Sequence, residues 1–335
     1  MKTLTALTIV LLAVLTGCQS ESPETAEMTP LVFVSFVGND VQLARVGNLT
    51  ASIREFAGRY AEAPIWVYGP AELLARDTAA LNRLNALGVE VKTIAVPDET
   101  AWYFGSGMVM AAAKAEIEAS GVARVVVLMG SDTIVLDEPS EFDLADGVNL
   151  GYRPVMHKNI NPLMSEPLSP YWLRAYEILG VKEASFFPMV TPADSDTIRP
   201  YFNAGCIAVR PEIGLFGKWA ESHKLLCADS AIRAMCEQEI LRRIFTFQVA
   251  LTGTILNNGS RSEMAGISDQ YNYPIFFKEM YGAKRDFHDI NGIVTMRYEH
   301  FFDNPIPGWE TTLQGPPDKI AWLKKQCVGD QAPDS

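Results

Sequence analysis

Residues 124–139 read RVVVLMGSDTIVLDEP. Val125 to Met129 form an unbroken apolar, β-rich run, the pattern of a central strand covered on both faces, as helix-flanked parallel sheets require. The strand ends at Gly130. Ser131-Asp132-Thr133 follow it, at the carboxyl end of a strand, where open α/β sheets bind their ligands. A second run, Ile134 to Leu136, leads to Asp137-Glu138 and a stop at Pro139. One carboxylate, Asp132, is thus held between two apolar segments.

Working backwards, the chain alternates. Leu31 to Val37 reads as a first strand ending in Gly38-Asn39-Asp40, and residues 41–60 carry apolar positions at helical spacing. Ile65 to Tyr68 is a second strand, 71–87 a second helix closed by Gly88, 89–96 a third strand and 101–120 a third helix closed by Gly121. Strand and helix in strict alternation predict a doubly wound α/β layer, and right-handed crossovers make the four strands parallel. Neither a GxGxxG nor a GxxxxGK[ST] follows the first strand, which disfavours a nicotinamide site and excludes a P-loop. A Gly-x-Ser-x-Gly elbow is also missing, so a serine hydrolase is not expected.

The second half is less regular. Strands are expected at 148–152, 206–209 and 293–298, and helices at 171–179, 211–223, 237–251 and 318–326. The helix from Glu237 opens with Glu237-Gln238-Glu239, carboxylates that suit the positive end of a helix dipole whatever else they do.

The first 17 residues have a charged start, an apolar run from Leu4 to Leu15 and the ending Leu15-Thr16-Gly17-Cys18. This resembles a bacterial lipoprotein signal, which implies cleavage before Cys18, lipidation (palmitate) of its thiol, and a membrane-anchored, periplasm-facing envelope protein. Gln19 after the cysteine resembles the outer-membrane pattern of Gram-negative sources. Residues 18–30 read as a flexible tether. A net charge of −12 opposes nucleic-acid binding, which needs a basic surplus. Export exposes the cysteines to oxidation, and the short loop between Cys227 and Cys236 favours that pair; Cys206, in an apolar run, reads equally well as a buried thiol.

In this order the pieces resemble the GT-A glycosyltransferases, especially the glycogenin and galactosyltransferase-like family numbered eight. The residues that carry the likeness are LMGSDTIVLDEP, Phe202-Asn203-Ala204-Gly205-Cys206-Ile207, Glu237-Gln238-Glu239 and His300. It spans roughly residues 31–305, with 31–140 as nucleotide-binding half and 141–330 as acceptor half. The resemblance implies metal-assisted transfer of a hexosyl group from a nucleotide-diphosphate sugar, such as a UDP-hexose, to an acceptor hydroxyl. It places the donor at Val37, Asn39, Asp40, Ser131, Asp132 and Gly205, and catalytic roles at Asn203, Glu237 and Glu239. Mn²⁺ or Mg²⁺ falls to Asp132 and His300.

The chain departs from the family at Gly130, which stands where the family has the first carboxylate of Asp-x-Asp. The alternative is a non-catalytic member that binds envelope glycan or a protein partner. A carboxylate brought to Asp132 from Asp40, Asp137 or Asp303 would favour catalysis. Asp132 is also readable as a turn cap, Asn203-Ala204-Gly205 as backbone architecture, and His223 as a surface residue of an amphipathic helix. Trp102, Tyr103, Tyr171, Trp172, Tyr271, Tyr273 and Trp309 are candidates for stacking on sugar faces, most of them more simply core.

Overall fold

The computed structural model describes residues 28–328 except 283, 304 and 306; the signal, Cys18 and most of the tether lie outside the described residues. The first half follows the alternation read from sequence. It comprises β1 (Val32–Phe36), α1 (Asp40–Phe56), β2 (Ile65–Gly69), α2 (Ala71–Leu74), α3 (Thr78–Ala86), β3 (Val89–Thr93), α4 (Asp98–Ala101), α5 (Ser106–Ala119) and β4 (Val126–Met129). The chain then forms β5 (Thr133–Val135), β6 (Leu150–Pro154), α6 (Pro170–Leu179), β7 (Met189–Val190), β8 (Thr197–Ile198) and β9 (Phe202–Val209). After these come α7 (Leu215–Ala228), α8 (Ser230–Gln238), α9 (Ile240–Asn258), β10 (Met264–Gly266), β11 (Tyr273–Pro274), α10 (Lys278–Tyr281), β12 (Thr295–Arg297), α11 (Trp309–Thr312) and α12 (Pro317–Leu323).

The main sheet has the order β10-β6-β9-β4-β1-β2-β3. β4, β1, β2 and β3 are parallel, as right-handed crossovers demand, and β9 alone runs against its neighbours β4 and β6. The fold is therefore mixed α/β with a mostly parallel sheet flanked by helices. Alternation within the strands explains the continuous apolar runs. Val32, Val34, Val126 and Leu128 belong to the core on one face, whereas Phe33, Val37, Val125, Val127 and Met129 belong to that on the other. Two buried faces leave no strand position for a polar side chain except where it is bonded, as Ser35 is, donating to the Met129 carbonyl at 3.0 Å. A second, small sheet, β11-β12-β5, leaves the main one directly after β4 and has its own core of Ile134, Leu136, Met296 and Phe302 among others.

Several expectations are corrected. Residues 71–87 form two helices, and the helix expected over 101–120 begins at Ser106, after a short α4 that ends at Ala101 and Gly105, whose φ of 78° lets the Phe247 ring pack against it. The helix expected over 211–223 begins later, at Leu215, and runs to Ala228. The helix expected from Glu237 begins at Ile240, because Glu239 is extended (φ −139°) and separates α8 from α9.

Cys227 and Cys236 are free, buried thiols. Cys227 faces the His223 ring, with Sγ 3.5 Å from Nε2, and Cys236 faces Thr246, 3.5 Å from Oγ1, so each thiol is directed at its own polar neighbour.

His223 is fully buried rather than at the surface, because α7 lies between α5 and α9 and is covered on both sides. Its Nε2 lies 2.8 Å from the Ser106 hydroxyl, and burial lowers its pKa to about 4. The folded protein therefore binds fewer protons than the unfolded chain between roughly pH 6.5 and 4, and stability falls as pH drops through that window, by roughly 3 kcal/mol from this residue. Unfolding midpoints followed from pH 7 to pH 4 are expected to fall more steeply for the native protein than for His223→Gln. Parallel curves would exclude a contribution from His223.

Candidate functional site

The turn after β4 is tied down from both sides. Gly130 N–H donates to the Gly205 carbonyl of β9 at 3.1 Å, Thr133 N–H to Gly130 at 3.1 Å, and Tyr298 N–H to the Asp132 carbonyl at 3.1 Å. This joins three expected residues, Asp132, Asn203 and Gly205, at the carboxyl end of β4. Asn203 Oδ1 accepts the Gly205 N–H at 2.8 Å, fixing the backbone there. Ser131 is buried beside Asp132.

The residue that completes the site is one the sequence reading missed. β12 pairs antiparallel with β5 so that Arg297 stands opposite Thr133. Its Nη2 donates to Asp132 Oδ2 at 2.7 Å, and its Nε lies 3.2 and 3.3 Å from Oδ2 and Oδ1. Glu299 Oε1 lies 3.7 Å from the same Nη2. The Asp132 side chain is 9% exposed and that of Arg297 25%. Burial alone would raise the Asp132 carboxyl; the charge and hydrogen bonds of Arg297, with the nearby charge of Arg45, hold it below the usual carboxylate range. Burial alone would likewise lower Arg297, but Asp132 and then Glu299 raise it.

The other expected site residues fall into two groups. Near the strand end, Val37 is core, Asn39 caps α1 by accepting from Gln42 N–H at 2.9 Å, and Asp40 lies 3.6 Å from Arg76. Glu237 and Glu239 sit at the break between α8 and α9, paired with Arg233 at 3.5 Å and Arg242 at 2.8 Å. Among the described residues no hydrogen bond or ion pair links either glutamate to Asp132. The same break carries Trp102 beneath Arg233 and Arg243, at 4.7 and 5.1 Å from guanidinium carbon to ring. Trp102 is the half-buried exception among the candidate stacking aromatics; the other six are buried.

The donor set for a divalent ion does not form. Gly130 has no side chain, both Asp132 oxygens face Arg297, and His300 is 79% exposed beside Glu299. Asp303 is bound to Arg45, Asp137 lies 3.7 Å from Lys319, and Asp40 faces Arg76, so none of the three supplies the missing carboxylate. Among the described residues no group of three His, Cys, Asp or Glu side chains converges. These residues do not fit a carboxylate-held Mn²⁺ or Mg²⁺.

A mostly parallel α/β sheet flanked by helices, with the Asp132–Arg297 pair at the carboxyl end of its central strand, is a fold of the GT-A kind. The chain belongs to the Rhodobacterales glycosyltransferase domain family, whose model matches residues 34–259. The domain is thus a glycosyltransferase domain. Comparison with curated proteins gives no match. Among solved structures, the chain is similar to mouse xyloside xylosyltransferase 1 (12% identity, 82% of this chain and 99% of that one, TM-score 0.45). It is also similar to the galactosyltransferase LgtC with donor and acceptor sugar analogs (15% identity, 87% and 95%, TM-score 0.46). A third is core-mannan synthase A of Aspergillus fumigatus in its Mn/GDP form (8% identity, 73% and 74%, TM-score 0.44).

Because Arg297 is the direct counter-charge of a buried carboxylate, Arg297→Ala is expected to destabilise the fold by roughly 3–5 kcal/mol. Asp132→Asn combined with Arg297→Gln, which leaves no unpaired charge, should cost clearly less. Urea unfolding of the two variants checks this; equal losses would mean the pair is not coupled.

Proposed function

We propose that this chain transfers a hexosyl group from a nucleotide-diphosphate sugar to an acceptor hydroxyl, at the turn formed by Gly130, Ser131 and Asp132 with Asn203 and Gly205. The observation that carries the reading is the meeting of these two segments, more than seventy residues apart in sequence, where Gly130 bonds Gly205 at 3.1 Å, inside a chain of this family. Glycine suits both positions, since an ideal Cβ would stand 2.8 Å from Asp132 Oδ1 at Gly130 and 3.2 Å from Asn203 Oδ1 at Gly205.

In the transfer, the bond from the anomeric carbon to the diphosphate oxygen breaks and its electron pair leaves with the nucleoside diphosphate. The acceptor oxygen takes the sugar, and its proton passes to a carboxylate on the acceptor side. Glu239, with Glu237, fills that role in this reading, and Trp102 beside them offers an aromatic face to the acceptor. Residues 31–140 then hold the nucleotide and 141–330 the acceptor. We place the protein on the envelope, anchored through Cys18 and facing the periplasm, on the strength of the amino-terminal sequence.

One observation favours a second reading, a non-catalytic protein that binds envelope glycan or a protein partner: the Asp132 carboxylate is taken up by Arg297. Donor turnover separates the two. Full-length protein incubated with a panel of UDP- and GDP-hexoses and candidate glycans is expected to release nucleoside diphosphate from one donor, and Asn203→Ala to slow that release by roughly 100-fold, the usual cost of a lost positioning group. Glycan binding with no donor consumed would establish the second reading.

A further inference from the structure

We propose that Arg297 is the resident cation of this site and that the donor's diphosphate lands on its guanidinium, so that donor binding needs no divalent ion. This rests on the glycosyltransferase reading and specifies its chemistry.

Charge balance supports the assignment first. A divalent ion between two carboxylates brings the local sum to zero, and so does one guanidinium beside one carboxylate. At residues 130 and 132 the missing acid and the arginine therefore compensate each other; Glu299, 41% exposed and 3.7 Å from Nη2, adds a carboxylate at the rim, and Arg45 a cation. An ideal Cβ placed on Gly130 lies 2.8 Å from Asp132 Oδ1 and 3.9 Å from Arg297 Nε, so a side chain at residue 130 would point into this pair.

Geometry supports it as well. Asp132 engages the Nε and Nη2 side of the guanidinium, while Nη1 makes no hydrogen bond to any described residue. Nη1 borders Gly205, where an ideal Cβ would stand 3.8 Å from it and 3.2 Å from Asn203 Oδ1, so bare backbone is what fits beside it. The side chain retains 25% exposure, enough for a ligand to reach it. Thr133 Oγ1, directly across the strand pair from Arg297, is buried without a hydrogen-bond partner and is a further polar atom for a ligand oxygen. A planar fork locked by a carboxylate on one edge and open on the other suits a phosphate group, and its charge is fixed at any working pH.

A second cation stands in reserve. Arg45 on α1 is close enough to act on Asp132, and its guanidinium stands 5.9 Å from the ring of Tyr298, the residue after Arg297. Its partner Asp303 is 41% exposed, so this second cation is tethered at the surface of the site. During transfer, negative charge grows on the departing diphosphate, and a preorganised guanidinium stabilises it without reorganising solvent.

The test is calorimetric titration of the full-length protein with inorganic pyrophosphate, UDP and GDP, in EDTA and again in Mn²⁺. At least one nucleoside diphosphate is expected to bind in EDTA, with a Kd that Mn²⁺ changes less than about threefold. Arg297→Gln in an Asp132→Asn background, chosen to avoid an unpaired buried carboxylate and checked for folding by its thermal midpoint, is expected to weaken binding by roughly 30-fold relative to Asp132→Asn alone, as loss of a charged hydrogen bond does. The double variant Gly130→Asp with Arg297→Met should bind the same nucleotide only with Mn²⁺.

Native binding that requires Mn²⁺ would overturn the assignment of Arg297 while leaving the transferase reading intact. Equal affinity with and without Arg297 would do the same. No nucleotide or pyrophosphate binding under either condition would overturn the transferase reading itself, and this assignment with it.

Discussion

A carboxylate at the end of a buried strand must find a counter-charge, and the architecture around Asp132 answers that demand. Taking Asp132 from water is costly, and its ionised state is kept by a guanidinium brought from 165 residues away. Delivering that group requires β12 to lie antiparallel to β5 with Arg297 opposite Thr133. The small sheet therefore presents a cation to the end of the large one. Such a pair contributes little net stability against an apolar alternative, but removing one member is expensive, so it specifies register. A one-residue slip of β12 would turn Arg297 to the other face and leave Asp132 unpaired.

The large sheet supplies the fixed platform. With both faces covered, its strands alternate their side chains between two cores; Ser35 within the sheet is bonded, as is Glu116 of the covering helix α5, which accepts the Phe216 and Gly217 N–H groups at 3.0 and 2.8 Å. Placing the Glu116 carboxylate at the start of α7 partly counters the burial, which still leaves its pKa raised. The site we propose lies at the carboxyl edge, where β4 and β9 run in opposite directions and the chain leaves for β5.

The platform was legible in the sequence because two-sided burial writes itself as an unbroken apolar run, and four such runs separated by helices allow few topologies. Asp132, Asn203 and Gly205 were legible as a group through the order of their motifs. Arg297 was not, since nothing local marks an arginine in a three-residue strand as the partner of an acid half the chain away; the empty position at Gly130 was the available signal. His223 was misread because amphipathic spacing on α7 does not reveal that α5 and α9 cover it from two sides. The Glu-Gln-Glu run was read as a helix start, whereas tertiary packing breaks the chain at Glu239 and leaves Glu237 in the final turn of α8. Capping claimed Asn39, which the family resemblance places at the donor and which accepts from Gln42 N–H at the start of α1.

Gly130 and Arg297 make sense together better than either does alone. A glycine in place of a metal-binding acid would by itself leave Asp132 as a solitary buried charge, a configuration that costs several kcal/mol and has no obvious use. Glu299, 3.7 Å from Nη2, is a second carboxylate beside Arg297, but it is 41% exposed, where water and salt screen it. One acid and one guanidinium form a neutral pair with a free edge, and that edge faces the bare backbone of Gly205. In the arrangement we propose, the glycine at one position and the cation at the other are two halves of a single electrostatic design, a neutral pair with an edge for an anionic leaving group.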